Sequence, residues 1–321
     1  MGKNVQETME SPLVWHPQTP AEAWLLKQTY GTDGVYISGG TLLRTHWESG
    51  SAAMPKHLID LSAVKGLNEM RVGGTGLLIG GQMSLQACRT DDFLLRHFPM
   101  VTEAIRGIAA PSIRQLATIG GNVASHIGDS LPALLAYDAE VIWFNGTAEQ
   151  RDMLADWLRF ANDSSHGMER LLLGIQLPFY GQSEAGEDDA DSEQAAVSKI
   201  RRFCAYHKVG RREAFTPSVV TGAINGALSD TGIVKEIRIA LGGGQTIPLR
   251  LEDLEKELTG EAVDTPLLQH AYNRILQLYE PREDLFASAG YRKKTAANVI
   301  VSELWKAARN EAQTGGGSVC S

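Results

Sequence analysis

Short, mostly apolar runs alternate with helical patterns along the first half of the chain. Each run ends in polar or glycine residues, which is typical of short buried strands. Thr19 followed by Pro20 is typical of a helix start, with Thr19 as the N-cap. The predicted strands cover residues 35–37, 57–61, 77–79 and 139–144, the last ending in a turn at Asn145 and Gly146, and the other predicted helices cover residues 84–89 and 100–108. The alternation predicts a mixed α and β fold.

An acidic stretch divides the two halves of the chain. Residues 181–195, GQSEAGEDDADSEQA, contain six acids and no bulky hydrophobe. Such a stretch buries too little apolar surface to offset its ordering entropy, so it is predicted to be a linker or a solvated loop. After it, strands are predicted at 197–206, 218–224 and 236–241, and helices at 266–279 and 291–308.

Charge and length exclude several classes of protein. The 321 residues predict two domains, and 30 Lys and Arg against 38 Asp and Glu give a net charge of -8, which disfavours nucleic-acid binding. A locally basic stretch at 199–212 fits a solvated strand and turn, or docking of an acidic partner or of a dinucleotide phosphate. The N-terminus resembles neither a secretory signal nor a transit peptide, and no apolar run is long enough to span a membrane. We therefore expect a cytoplasmic protein.

The sequence also contains no recognisable motif for a metal site or for a catalytic nucleophile. Its three cysteines include no C-x-x-C pair, and they cannot supply four thiolates to an iron–sulfur cluster or a zinc site. Its eight histidines include no H-x-x-x-H or H-E-x-x-H pair, and no G-x-S-x-G motif occurs. We predict no metal site and no catalytic residue on this chain.

Two glycine pairs are the candidate binding motifs. They lie in ISGGTLL at 37–43 and ATIGGNVAS at 117–125, each after a short apolar run. Glycine lets successive backbone N–H groups face one concavity and leaves no Cβ to block a phosphate. Neither pair fits G-x-G-x-x-G or the P-loop, and either alone also fits an ordinary turn. Together, the two loops would hold a pyrophosphate, and valine at Gly121 would block it and oppose any positive φ there.

An ordered set of motifs resembles one flavoprotein family. APSIRQLATIGGNVA at 110–124 and LPALLAYDAE at 131–140 resemble the FAD-binding subunits of molybdenum hydroxylases, which include xanthine dehydrogenase and the carbon monoxide dehydrogenase flavoprotein. The resemblance covers about residues 12–300 in the same order; its other motifs are ISGGTLL and LLIGGQMSLQAC upstream, and KVGRREAFTPSVVTGAI, IRIALGG and ASAGYRKKTAANVI downstream.

The resemblance implies an α+β fold and a set of cofactor residues. The expected fold is a vanillyl-alcohol-oxidase-type FAD-binding domain of two α+β subdomains at 12–180, the acidic linker at 181–195, a smaller α+β C-terminal domain at 196–300, and a helix end with a disordered tail at 301–321. The residues implied to bind FAD are Ile37, Ser38, Gly39, Gly40, Thr41, Leu42 and Leu43, then Thr118, Gly120, Gly121 and Asn122, and finally Asp129 near the cofactor and Lys208 near the flavin ring.

The same resemblance implies an electron-transfer role. Electrons would leave the substrate at a molybdenum cofactor in a large subunit, pass through [2Fe-2S] clusters in a small subunit to FAD on this chain, and continue to NAD or another acceptor. Xanthine is the expected substrate, with carbon monoxide, nicotinate or an aldehyde as alternatives, because the substrate is selected on the large subunit. A flavin-free assembly or scaffold protein of the same fold is a further alternative.

Overall fold

Three β-sheets with surrounding helices make up the described part of the chain. The computed structural model describes residues 11–159, 170–179, 200–212 and 217–309. The predicted mixed fold is confirmed. The predicted acidic linker at 181–195 lies outside the described residues, as does the segment 310–321 of the predicted tail.

The first sheet is parallel and carries the first glycine loop. Its strands, β1 (Leu13–Trp15), β2 (Gly34–Ile37) and β3 (His57–Asp60), lie in the order β1-β3-β2, and the connecting helices are α1 (Pro20–Tyr30) and α2 (Thr41–Glu48). The predicted N-cap is confirmed, since the Thr19 hydroxyl accepts a hydrogen bond from the Glu22 N–H at 3.2 Å. Strand β3 ends at Asp60, one residue before the predicted end. The Asp60 carboxylate accepts a hydrogen bond from the Ser62 N–H, and a 3₁₀ helix begins at Leu61.

The second sheet is antiparallel and has five strands in the order β4-β5-β8-β6-β7. The strands are β4 (Met70–Val72), β5 (Gly76–Gly80), β6 (Glu140–Phe144), β7 (Glu149–Met153) and β8 (Leu171–Pro178). The associated helices are α3 (Leu85–Thr90), α4 (Asp92–His97), α5 (Pro99–Arg106), α6 (Pro111–Leu116), α7 (Ile119–Ala124), α8 (Leu131–Ala136) and α9 (Leu154–Arg159). The predicted turn after β6 is confirmed, because the Asn145 side chain accepts from the N–H groups of Thr147 and Ala148.

The third sheet is antiparallel and follows the acidic stretch. Its order is β12-β11-β10-β9, formed by β9 (Arg201–Gly210), β10 (Ser218–Leu228), β11 (Val234–Gly243) and β12 (Thr246–Arg250). The helices of this part are α10 (Glu252–Leu258), α11 (Thr265–Leu278) and α12 (Ala289–Arg309). Every residue of β10 is buried, as expected for a strand covered on both faces.

The two faces of the third sheet pack into different cores. Tyr206, Ala223 and Ala240 join the core of the second sheet and its helices, whereas Ile224 and Ile239 join the core formed with α11 and α12. Helix α8 packs across β10, β11 and β12, and the buried Asn225 amide donates to the Ala136 carbonyl at 3.1 Å. The third sheet is therefore joined to the first part of the chain by shared apolar packing.

The helices of the described ranges are too short or too polar to cross a bilayer.

Candidate functional site

The first glycine loop leads from strand β2 into helix α2. Ser38 and Gly39 follow the strand, and Gly40 is the N-cap of α2 with φ +64°, a left-handed conformation that glycine adopts at little cost. No side chain caps the helix at Gly40. The first N–H groups of a helix have no intrahelical acceptor, and they attract anions when no side chain satisfies them. This loop therefore offers an open anion-binding helix start, with Thr41, Leu42 and Leu43 in its first turn.

The second glycine loop is the start of a short helix, and it follows helix α6. Thr118 is the N-cap of α7, and its hydroxyl oxygen accepts from the Gly121 N–H at 3.1 Å. Gly120 is buried, and its N–H donates to the Gly81 carbonyl at 3.0 Å. Gly121 is exposed and does not have a positive φ, so its backbone conformation does not itself require glycine.

The two loops are in direct contact. The Ser38 and Thr118 hydroxyl oxygens lie 2.7 Å apart, and the Ser38 hydroxyl also bonds the Gln82 side-chain oxygen at 2.8 Å. A Cβ on Gly39 would lie 1.9 Å from the Leu116 carbonyl oxygen, so only glycine allows this approach of the two backbones. Ser38 and Gly39 thus hold the first loop directly against the second.

Asn122 connects the second loop to the segment that carries Asp129. Its side-chain oxygen accepts from the Ser130 hydroxyl at 2.6 Å, and a Cβ on Gly128 would lie 2.2 Å from the same oxygen. The loop after Asn122 is therefore folded back against that side chain. Between them lies His126, which has φ +58° and whose pKa is lowered by burial.

Asp129 and Lys208 form a buried ion pair. Their charged atoms lie 2.7 Å apart, and the side chains are only 15% and 7% exposed. Asp129 also accepts from the Ser218 hydroxyl at 2.7 Å, and Lys208 donates to the Gly107 carbonyl at 2.7 Å. Asp129 and Lys208, which were predicted separately, are therefore partners of each other, and their pair links the first part of the chain to the third sheet.

The hydroxyl of Tyr206 completes this cluster. It donates to the Asp129 backbone carbonyl at 2.8 Å. Burial, together with the negative charges of Asp129 and Glu103, raises the pKa of Tyr206 well above its usual range, so the hydroxyl stays a hydrogen-bond donor at neutral pH.

Arg114 is a buried residue next to the site, and its role was not predicted from the sequence. It is 6% exposed, and its guanidinium donates to the carbonyls of Ile108 and Ala109 at 2.8 and 2.7 Å. Burial and the nearby Arg89 lower the pKa of Arg114. Since Lys208 binds the neighbouring Gly107 carbonyl, two cations hold this loop, where Ala109 has φ +45°. In the sequence, only the position of Arg114 within the motif APSIRQL could have indicated its importance.

The described residues of the arrangement supply hydrogen-bonding and charged groups for a ligand. Among the residues that the structure describes, no three His, Cys, Asp or Glu side chains are grouped closely enough to hold a metal ion. The site therefore offers an uncapped helix start, a second glycine loop and a buried ion pair, which together suit a large anionic ligand.

Comparison with known protein families agrees with this geometry. A family model described as the FAD binding domain in molybdopterin dehydrogenase matches residues 6–180, more than half of the 321-residue chain. A second model, the CO dehydrogenase flavoprotein C-terminal domain, matches residues 205–307. The chain belongs to the family of FAD-binding subunits of molybdopterin dehydrogenases. FAD is its cofactor, and it is an oxidoreductase subunit.

Family members with named substrates are similar over most of their length. The carbon monoxide dehydrogenase medium chain of Afipia carboxidovorans is 28% identical over 286 residues, which cover 88% of this chain and 92% of that relative. The putative xanthine dehydrogenase FAD-binding subunit XdhB of Escherichia coli K12 is 24% identical over 285 residues, which cover 86% and 90%. The solved structure of reconstituted CO dehydrogenase from Oligotropha carboxidovorans matches with a TM-score of 0.80 and 25% identity, covering 94% of this chain and 98% of that one. The family fold thus extends through the C-terminal domain.

Proposed function

We propose that this chain is the FAD-carrying electron-transfer subunit of a molybdenum hydroxylase. It would receive electrons from the [2Fe-2S] clusters of a small partner subunit and deliver them to NAD or another acceptor. A large partner subunit would carry the molybdenum cofactor. The observation that carries the proposal is the contact between the two glycine loops through Ser38 and Thr118, within a chain of the FAD-binding family.

The residues of the first loop fit the pyrophosphate of FAD. The α2 start has no capping side chain, and Gly40 adds no Cβ on the approach to it. We assign the backbone of Gly40, Thr41, Leu42 and Leu43 to the cofactor. Ile37 ends the strand before the loop, and Gly39 packs against Leu116, so these two residues shape the loop.

Some residues of the second loop would contact the cofactor, and the others hold the loop in place. Gly121 is exposed and leaves the surface open for the ligand, and the Asn122 amide nitrogen adds a donor beside it. The hydroxyls of Ser38 and Thr118 bond each other, and Gly120 packs on Gly81. We therefore assign Gly121 and Asn122 to the cofactor, and Ser38, Thr118 and Gly120 to holding the two loops together.

We assign the ion pair of Asp129 and Lys208 to the flavin end of the site. Bound FAD supplies the redox chemistry itself, accepting single electrons and releasing them as a hydride. The chain would bind and orient it. Lys208 is fixed by two acceptors, the Asp129 carboxylate and the Gly107 carbonyl, so its ammonium group is held at one position between them.

The substrate would be oxidised on the large subunit. We retain xanthine as the first substrate to test, supported by the similarity to the xanthine dehydrogenase FAD-binding subunit. Carbon monoxide is the second candidate, supported by the similarity to carbon monoxide dehydrogenase medium chains in sequence and structure.

The isolated chain tests this assignment. Purified alone and incubated with FAD, it should show a flavin spectrum without cluster absorbance, slow NADH oxidation with an artificial acceptor, and no oxidation of xanthine or carbon monoxide. Hydroxylase activity should appear only after co-expression with the cluster and molybdenum subunits. A preparation that stays colourless with added FAD would support the flavin-free scaffold instead. Substrate turnover by the cluster-free chain would contradict the relay role.

A further inference from the structure

An exposed apolar patch lies at the start of helix α12. Leu285, Phe286 and Tyr291 are 101%, 56% and 55% exposed. Two exposed cations flank them: Arg211, whose guanidinium lies 5.5 Å from the centre of the Phe286 ring, and Lys294, one helical turn after Tyr291. We call these five residues the Phe286 patch. Clustered exposed aromatic and aliphatic side chains with Arg among them are typical of binding surfaces.

The cation at Arg211 differs from other cations of the same basic stretch. Arg202 pairs with Glu236 at 3.1 Å, and Lys208 pairs with Asp129. Arg211 lies over an aromatic ring and faces solvent, in a chain whose net charge is -8. A cationic patch on an acidic protein selects an acidic surface, because it attracts negative charge and the rest of the molecule repels it.

A small cavity lies beneath the patch, and one of its lining residues has an unsatisfied donor. Its volume is about 40 Å³, and its lining includes Arg211, Ser218, Asp284 and Arg292. The Arg292 side chain is 1% exposed and pairs with Asp284 at 2.6 Å, yet its Nε has no hydrogen-bond partner within the described part of the chain. A buried donor without an acceptor costs free energy, so an oxygen atom entering the cavity would be stabilised there. The volume is enough for a water molecule or a carboxylate oxygen, since a cavity of roughly 10 to 15 Å³ of this kind holds one water.

The cavity adjoins the proposed flavin end of the site. Ser218 lines the cavity, and its hydroxyl donates to the Asp129 carboxylate, which pairs with Lys208. One residue layer therefore separates the patch from the ion pair. A protein that docks on the patch would approach the site closely.

We propose that the Phe286 patch docks the iron–sulfur partner subunit, with an acidic side chain of that subunit entering between Arg211 and Arg292. Leu285, Phe286 and Tyr291 pack against apolar side chains of the partner, and Lys294 faces acidic groups at the rim. This inference rests on the proposed function. It adds the surface by which the electron donor is recognised.

The experiment measures binding of the full-length FAD-loaded chain to its separately purified iron–sulfur subunit by isothermal titration calorimetry, at about 50 and 300 mM NaCl. Arg211→Glu and Phe286→Ser should each raise the Kd about tenfold or more. Arg211→Glu should also weaken the salt dependence. Lys256→Glu and Leu25→Ser, exposed positions elsewhere on the chain, are the matched controls and should leave the Kd within about twofold.

The flavin content of each protein separates failure of this inference from failure of the proposed function. All four variants should keep the flavin content of the wild type, because none lies in the glycine loops. Wild-type Kd values in Arg211→Glu and Phe286→Ser would contradict docking of the iron–sulfur subunit on the Phe286 patch and leave the FAD-binding role unaffected. So would a concentration-dependent dimer of the chain alone that Phe286→Ser abolishes in sedimentation, since a second copy would then occupy the patch. A wild-type chain that binds no FAD would overturn the proposed function itself.

Discussion

The hydroxyl of Ser38 and the hydroxyl of Thr118 lie 2.7 Å apart although 80 residues separate them in the chain. The Ser38 hydroxyl donates its one hydrogen to Gln82 Oε1, so Thr118 is the donor to Ser38, and Thr118 Oγ1 also accepts from the Gly121 N–H. Each hydroxyl thus uses both its donor and an acceptor site. One chain of hydrogen bonds therefore fixes both glycine loops at once.

This coupling predicts that Ser38 and Thr118 do not act independently. Ser38→Ala and Thr118→Ala should each lower the free energy of unfolding by about 1 kcal/mol, through a lost hydrogen bond and, at Thr118, a lost N-cap. The double variant should differ from the sum by about 0.5 kcal/mol or more, as contacting residues do. Urea unfolding of the four proteins measures the cycle. Thr29→Ala, which removes an exposed hydroxyl bond within α1, paired with Ser38→Ala is the control and should be additive.

The two glycines of the second loop should respond differently to substitution. A Cβ on Gly121 would meet only Thr118 Oγ1 at 3.1 Å, whereas a Cβ on Gly120 would lie 2.5 Å from the Gly81 carbonyl oxygen. Gly121→Ala should therefore stay folded. Gly121→Val should stay folded and lose FAD, because its branched side chain covers the open face of the loop. Gly120→Ala should destabilise the protein by about 2 kcal/mol or more, since backbone must move.

Flavin absorbance per protein and circular dichroism distinguish these outcomes. Wild-type flavin content in a folded Gly121→Val protein would show that this loop does not hold the cofactor.

Much of the site could be predicted because its residues lie in compact motifs. Glycine pairs mark places where backbone must approach a ligand or another segment, and Gly39 and Gly120 do approach other backbone closely. The partners could not be predicted. Gln82 is a polar residue in LLIGGQMSLQAC, and only the folded chain brings it to Ser38. The pairing of Asp129 with Lys208 joins segments 79 residues apart, and no periodicity encodes it.

The predicted end of a strand was wrong where a polar residue finds its hydrogen-bond partner in a distant segment of the chain. Strand β10 was predicted to end at residue 224, because Asn225 and Gly226 are typical strand breakers. It continues to Leu228, since the Asn225 amide bonds the Ala136 carbonyl and Gly226 lies against Phe203. Arg114 illustrates the same limit, because a lone Arg in a short helix is predicted to be exposed until the carbonyls around it are known.

The Asp129 and Lys208 pair should be costly to break and less costly to replace. Lys208→Met or Asp129→Asn leaves a buried charge without its partner, and we expect a loss of about 3 to 5 kcal/mol in the free energy of unfolding. Replacing both residues should cost less than the sum of the single changes. The exposed pair of Lys56 and Asp33 is the control, and Lys56→Met should change stability by about 1 kcal/mol or less. A loss at Lys208 no larger than at Lys56 would contradict the buried pairing.

His126 should make the stability of the protein depend on pH. Burial lowers its pKa from the usual 6.5, so the unfolded chain binds a proton at a pH where the folded one does not. Stability should therefore fall as the pH decreases below 6.5, and this contribution is absent above it. His126→Asn removes the titration and keeps a residue that tolerates φ +58°. His126→Gly removes the titration and also relieves the backbone, so it should be about 1 kcal/mol more stable than His126→Asn at pH 8. Thermal unfolding of the three proteins between about pH 5 and 8 measures both effects, because the unfolded His titrates within this interval. An unchanged pH slope in both variants would show that other groups control the acid sensitivity and that the pKa of His126 is the same in the folded and the unfolded chain.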